Sequence, residues 1–268
     1  MEKSKKLILQ ILNMLTFIAV VIVNGLANVI PIGGRNTGEL SDAIPNLFVP
    51  AGLTFSIWGV IYFFLALFSI YQMRDIFKSD EIEMPYLEKI SYYFIIGNLA
   101  NFIWIFFWHY VLVPLSLVMM LILLVTLLQI YRRLDIGGAK VSRWEKIAVH
   151  VPFSVYLGWI SVATVANITA VLVEAGIADG VAVTLGGTGP NLGAEFWTIL
   201  VIIVVLIITF AMILLKKDTA YSLVIVWALF GIWYKQSTLN FTIAMTALIA
   251  LIIISVGIVY NVIRWIRK

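Results

Sequence analysis

The sequence predicts an all-α membrane protein crossing the bilayer about eight times. Three observations carry that reading. The 268 residues are 62% hydrophobic and only 12% charged, against about 25% charged in a soluble domain. The mean hydropathy is +1.05, too apolar for a surface in contact with water. The charges that remain fall between long apolar runs, where a bilayer topology requires them.

A spanning helix needs about 20 apolar residues, and the charge-free windows supply the candidates. The first is about 7–30. It follows Lys3, Lys5 and Lys6 and is too long for the apolar region of a cleaved signal, so it reads as a retained span. The second is about 50–72. The uncharged stretch from Ile90 to Tyr131 exceeds one helix. With His109 and Pro114 at its middle it reads as a hairpin of spans 90–108 and 113–131. The fifth and sixth are about 147–173 and 195–215. Only sixteen uncharged residues separate Asp218 from Lys235, so the seventh is short. The eighth is about 239–263.

Charge supports the short helix. With the N-terminus in the cytoplasm, eight spans place 16 of the 18 Lys and Arg inside, leaving only Arg35 and Lys235 outside. Seven spans would send Arg264, Arg267 and Lys268 outside. The expectation is an integral multi-pass protein of the cell (cytoplasmic) membrane with both termini cytoplasmic. Its partner is the lipid bilayer and not nucleic acid, because the +4 net charge is spread over loops. The outer segment 31–49 (IGGRNTGELSDAIPNLFV after Pro31) is rich in turn formers and reads as an ordered loop, not a helix. Segment 174–194 is Gly-rich but lacks the Lys-Ser/Thr of a phosphate loop, so it reads as an outer connection.

The spans carry little acid–base chemistry. No Asp, Glu, Lys or Arg lies mid-span, His109 and His150 sit at predicted helix ends, and the chain has no cysteine. No catalytic or metal-ligating set is therefore predicted, and a hydrolase or a metal transporter is disfavoured. What the spans do carry is nine tryptophans, 11 tyrosines and 16 phenylalanines. Trp144, Trp197, Trp233 and Trp265 lie near predicted helix ends and fit an interfacial belt. Trp58, Trp104, Trp159 and Trp227 lie inside predicted spans. Phe55, Trp58 and Tyr62 form a stripe at helical spacing, as do Asn101 with Trp104, and Trp159, Ala163 and Asn167. Such stripes serve interhelical packing or line an apolar ligand pocket; spacing alone leaves both open.

The stripes also carry a resemblance. VPAGLTFSIWGVIY (49–62), NFIWIFFW (101–108) and VPFSVYLGWISVATVAN (151–167) resemble, in the same order, the helix-2, helix-3 and helix-5 motifs of the TspO/MBR family. These are the tryptophan-rich sensory proteins, related to the mitochondrial translocator. The resemblance covers about residues 7–173. It implies a five-helix bundle over 1–173, and the Gly-rich outer loop at 174–194 and a three-helix extension over 195–268 lie beyond what it covers. It further implies a pocket for a tetrapyrrole (protoporphyrin IX or haem) or another apolar aromatic ligand, with segment 31–49 as its lid. Pro50, Phe55, Trp58, Tyr62, Asn101, Trp104, Trp108, Trp159, Ala163 and Asn167 would line it.

Pro152 lies three residues further from Trp159 than in the family pattern, and Gly97 and His109 stand where the family often has Gln and an aromatic residue. A transporter of a hydrophobic solute and a porphyrin-degrading enzyme are the other functions the resemblance admits. The family's helix-3 surface is a common dimer face, and the small Gly97 and Ala100 would suit a homodimer.

Overall fold

The computed structural model describes residues 2–44, 46–78, 82–175 and 193–266, with the side chains of 265 and 266 left aside. The predicted loop 174–194, apart from its ends, and the Trp265 side chain lie outside that description. Among the described residues the chain is helical and has no strand. In order, α1 is Lys3–Val29, α2 Thr37–Ala43, α3 Ile57–Gln72, α4 Pro85–Ile90, α5 Tyr93–His109 and α6 Val113–Leu134. A short α7 (Arg143–Glu145) leads through a π-helical turn, Lys146–His150, into α8 (Val151–Glu174). Then follow α9 (Ala194–Ala211), α10 (Thr219–Gln236) and α11 (Phe241–Ile266).

All eight stretches read as spans are helices. Six of these runs are long and apolar enough to cross a membrane: Lys3–Val29, Gly52–Gln72, Val113–Leu134, Arg143–Glu174, Ala194–Lys216 and Phe241–Arg264. The chain is thus an integral membrane protein. The 17 residues of α5 reach only about 25 Å, against a hydrocarbon core of about 30 Å. The ends of α10, with Thr219, Tyr234, Lys235 and Gln236, dilute its apolar middle.

The sequence explains where the helices stop. Pro31 ends α1, and Gly33 and Gly34 follow at positive φ. Pro114 stands in the first turn of α6, where its missing N–H is no loss. The Ser142 hydroxyl accepts the Glu145 N–H at the start of α7. The π-helical turn ends two residues before Pro152, which cannot donate to the helical ladder. Asp218 caps α10 by accepting the Tyr221 N–H, and Asn240 accepts the Ile243 N–H at the start of α11.

One expectation fails. Segment 31–49 is not wholly loop, because Thr37–Ala43 is helical. Asn36 before it and Glu39 in its first turn make the Asn-x-x-Glu pattern of a helix start, and the acidic residue favours the positive end of the helix dipole. The turn formers around it outweighed that signal.

The chain divides into two compact units, Met1–Asn36 with Ser56–Ser161, and Thr37–Phe55 with Val162–Lys268. In the first unit, α1 turns a polar stripe inward: Lys6, Gln10, Asn13 and Asn24 are buried beside Leu9, Phe17, Val20 and Ala27. Its opposite face exposes Leu7, Ile11, Leu15, Ile18 and Ile22. Lys6 pairs with Asp75 at 2.5 Å, each side chain 7% exposed. Gln10 donates to Asp75 and to the Gln72 carbonyl, and Asn13 donates to the Gln72 side chain at 2.9 Å. Asn98 of α5 donates to Thr16. Between α3, α5 and α8, Phe68, Phe94 and Phe153 meet edge to face with centroids 5.1–5.7 Å apart.

The α5–α6 hairpin closes on Gly97, where an added Cβ would lie 2.8 Å from the Thr126 hydroxyl. Gly97 and Ala100, the small residues offered to a second copy, are buried within this chain, and Gly97 faces α6.

In the second unit, segment 46–54 is bound to α10. The Ala51 N–H donates to the Gly231 carbonyl at 3.1 Å, Trp227 Nε1 to the Thr54 carbonyl at 3.0 Å and Gln236 to the Leu47 carbonyl. Lys235 pairs with Asp42 at 2.7 Å. Asn46 donates to Thr169 of α8 at 2.5 Å. Asn240 donates to Glu195, joining the starts of α11 and α9, and Asn261 donates to the Ile213 carbonyl, joining their ends.

Burial raises the Asp75 pKa, but hydrogen bonds from Lys6, Gln10 and the Ile82 N–H, with the Lys6 charge, hold it below the ordinary carboxylate value. A lowered folded value means that the stabilisation is complete above the unfolded carboxylate pKa and fades as pH falls through the folded one. Acidification should therefore lower the thermal midpoint of the detergent-solubilised wild type more than that of Asp75→Asn. Asp75→Ala should cost about 3 kcal/mol by stranding Lys6, and Lys6→Met with Asp75→Leu should cost less than Asp75→Ala alone. Strictly additive losses would show that the two residues do not act as a pair.

Gly231 makes a second test. An added Cβ would collide with Thr54 Cγ2 and lie 2.9 Å from Pro50. Gly231→Val should therefore destabilise by about 1–3 kcal/mol and speed proteolysis within 46–54. Unchanged proteolysis would separate that segment from α10.

Candidate functional site

The first unit gathers six of the sequence-selected residues around one indole. Trp58 lies in the first turn of α3, and Tyr62 follows one turn later, stacked on it at 5.6 Å between centroids. Trp104 of α5 lies 6.1 Å from Trp58, and Trp108 stacks on Trp104 at 5.8 Å. Trp159 of α8 meets Trp58 edge to face at 6.4 Å. Asn101, one turn before Trp104, is fully buried. The i, i+3 and i, i+4 spacings read from the sequence are what aim these rings at one another.

Two residues complete the group that spacing did not select. Tyr156 of α8 meets Trp58 edge to face at 6.2 Å and accepts a 2.7 Å hydrogen bond from Asn101 Nδ2. Asn24 of α1 donates to Asn101 Oδ1 at 3.4 Å. Tyr156 precedes Trp159 by three residues, so helical spacing could have found it. Asn24 is one of several amides on α1, and only the packing shows which of them reaches Asn101.

The remaining four belong to the second unit. Pro50 is buried and stands against Gly231 of α10. Phe55 lies in the 3-10 turn Gly52–Ser56 and is half-buried. Ala163 and Asn167 lie further along α8, Ala163 half-buried and Asn167 buried. Trp227, whose mid-span position the belt reading left unexplained, holds the Thr54 carbonyl.

The polar atoms give the group its chemistry. Trp104 is 4% exposed, and its Nε1 has no hydrogen-bond partner among the described residues. An indole N–H is a donor only, and a buried donor left unmade costs about 1–3 kcal/mol. Trp58 and Tyr62 are only half-buried. The group can stack a flat apolar ring, and the Trp104 N–H and the Tyr62 hydroxyl are donors that could meet an acceptor on it. It presents no acid–base pair. His109, at the end of α5, is buried and its Nδ1 lies 3.1 Å from the Ile32 carbonyl.

Trp144 is 70% exposed, and Trp197 also reaches the surface, as belt residues do. No curated protein and no solved structure matches the chain. A family model described as TSPO-like protein matches residues 10–260. The match continues through α9, α10 and most of α11, which the motif resemblance, ending near residue 173, does not reach. The chain belongs to the TSPO-like protein family.

Proposed function

We propose that this protein is a membrane ligand-binding or sensory protein. Its ligand is a flat, largely apolar aromatic molecule, a porphyrin or haem-like tetrapyrrole in the first instance. Trp58, Tyr62, Trp104, Trp108 and Trp159 hold it by their ring faces and edges, and Asn101 fixes Tyr156 beside them. The observation that supports this most directly is the buried Trp104 indole, whose N–H has no acceptor among the described residues. A ligand acceptor would relieve the cost of that buried donor. Aromatic faces with few polar groups suit an apolar ligand, and the family match agrees with the motif resemblance.

Spectroscopic titration of the purified full chain with protoporphyrin IX and haem tests the assignment. Trp58→Ala and Trp159→Ala should each weaken binding about tenfold or more, equivalent to about 1.4 kcal/mol. Trp144→Ala should leave it unchanged. Equal affinities in all three would remove the site.

The proposed topology is eight spans with both termini cytoplasmic, α5 and α10 crossing as short helices. Several pairings agree with it. Lys6 meets Asp75, the Lys235–Asp42 pair joins the end of α10 to the first outer segment, and Asn240 meets Glu195. Each joins chain ends that eight crossings place on one side, and Asp42 offsets one of the two outside cations. Because the chain lacks cysteine, single substitutions can be labelled cleanly. In right-side-out vesicles, Arg35→Cys and Ser237→Cys should react with an impermeant thiol reagent, while Lys140→Cys and Lys217→Cys should react only after lysis. Labelling of Lys140→Cys before lysis would rule out the crossing by α5.

A further inference from the structure

The segment joining α6 to α8 concentrates charge beyond what topology needs. Arg132, Arg133, Lys140, Arg143 and Lys146 fall within fifteen residues, with Asp135 and Glu145 the only acids among them. All five basic side chains are exposed, and none has a carboxylate partner among the described residues. Arg133 alone has a recorded ring contact, 5.4 Å above Tyr93. Elsewhere in the molecule Lys6 and Lys235 are paired.

Helix electrostatics accounts for only part of the cluster. Arg132 and Arg133 lie in the last turn of α6, where cations complement the dipole. Arg143 and Lys146 lie in the first turn of the run through α7 into α8, where cations oppose it. Their positions therefore disfavour the isolated fold and favour an anion beside them. The backbone is ordered in a tight form around them: Asp135 is left-handed, Gly137 has φ +89°, and the Gly138 and Ala139 N–H groups donate to the Asp135 carbonyl. Trp144 stands among the cations, 70% exposed. Both flanking helices are apolar enough to cross a membrane, so the segment lies at a bilayer boundary, where an exposed indole sits at headgroup level.

We propose that segment 132–146 is a docking surface for anionic phospholipid headgroups of the bilayer leaflet it faces. The cations contact headgroup phosphates, and Trp144 anchors the segment at the boundary of the acyl region. Charge complementarity selects this occupant, because clustered Lys and Arg next to a spanning helix attract anionic lipid, and an acidic soluble protein would give Trp144 no apolar phase to enter.

The test uses the full chain carrying Ser142→Cys labelled with an environment-sensitive fluorophore, reconstituted in phosphatidylcholine nanodiscs of increasing phosphatidylglycerol content. The signal should saturate with phosphatidylglycerol, and raised ionic strength should weaken the response. Replacing all five cations with Gln should shift the midpoint about tenfold or more towards higher phosphatidylglycerol. Lys216→Gln with Lys217→Gln, at the end of the run through α9, should not shift it. Trp144→Ala should weaken the response while keeping its salt dependence. If the fivefold variant loses its helical circular dichroism, Lys140→Gln with Arg143→Gln replaces it and should show a smaller shift of the same sign. A response that does not depend on headgroup charge, or an equal shift in the Lys216/Lys217 variant, would overturn the proposal.

Discussion

A bilayer gives apolar helices little reason to associate, since lipid tails solvate Leu and Ile as well as a neighbouring helix does. Association in the first unit rests on the polar stripe of α1. Lys6, Gln10 and Asn13 hold the end of α3 and the turn after it, Thr16 accepts from Asn98 of α5, and Asn24 reaches Asn101. Each bond in hydrocarbon adds modestly, but together they fix which face of α1 turns inward. That choice sets the register of α5 and, through Asn101 and Tyr156, of α8. The aromatic group around Trp58 is therefore positioned from the far side by amides.

The second unit solves the same problem differently. Its helices α9 to α11 pack side by side, and Asn240 with Glu195 and Asn261 with the Ile213 carbonyl tie α11 to the α9 run near both ends. Its specific lateral contact comes from the chain that precedes α3. Segment 46–54 lies on α10 because Gly231 has no side chain to hold it off, so that Thr54 and Pro50 approach the helix backbone. Backbone outside a regular helix is stable only where its polar groups find partners. The Ala51 N–H, the Leu47 carbonyl and the Thr54 carbonyl all find partners on α10.

The sequence disclosed the helices better than the contacts among them. Helix limits follow from hydropathy and from residues such as Pro31, Pro114 and Asp218, all local signals. The short α2 was obscured because its Asn36 and Glu39 signal is spread among Gly33, Gly34 and Pro45. Of the candidate site, Trp58, Tyr62, Asn101, Trp104 and Trp159 were legible because helical spacing puts aromatic and amide residues on shared faces, and Trp108 only through the motif resemblance. Asn24 was not, since nothing local distinguishes it from Asn13 or Asn28. Nor was the role of Trp227, which depends on a residue 173 positions earlier in the chain.

Hydropathy reads what one helix offers to lipid, whereas function depends on what several helices withhold from it. Trp104 illustrates the difference. By sequence it is one of nine tryptophans, and its neighbours Ile103 and Ile105 suggest only an apolar span. Packing buries its ring, stacks Trp108 on it and leaves its N–H without an acceptor among the described residues. Phe at this position would bury no donor, but it would leave a void where the second ring of the indole stands. The polar character of this position is therefore set by how α5 packs against its neighbours, and no local feature of the sequence announces it.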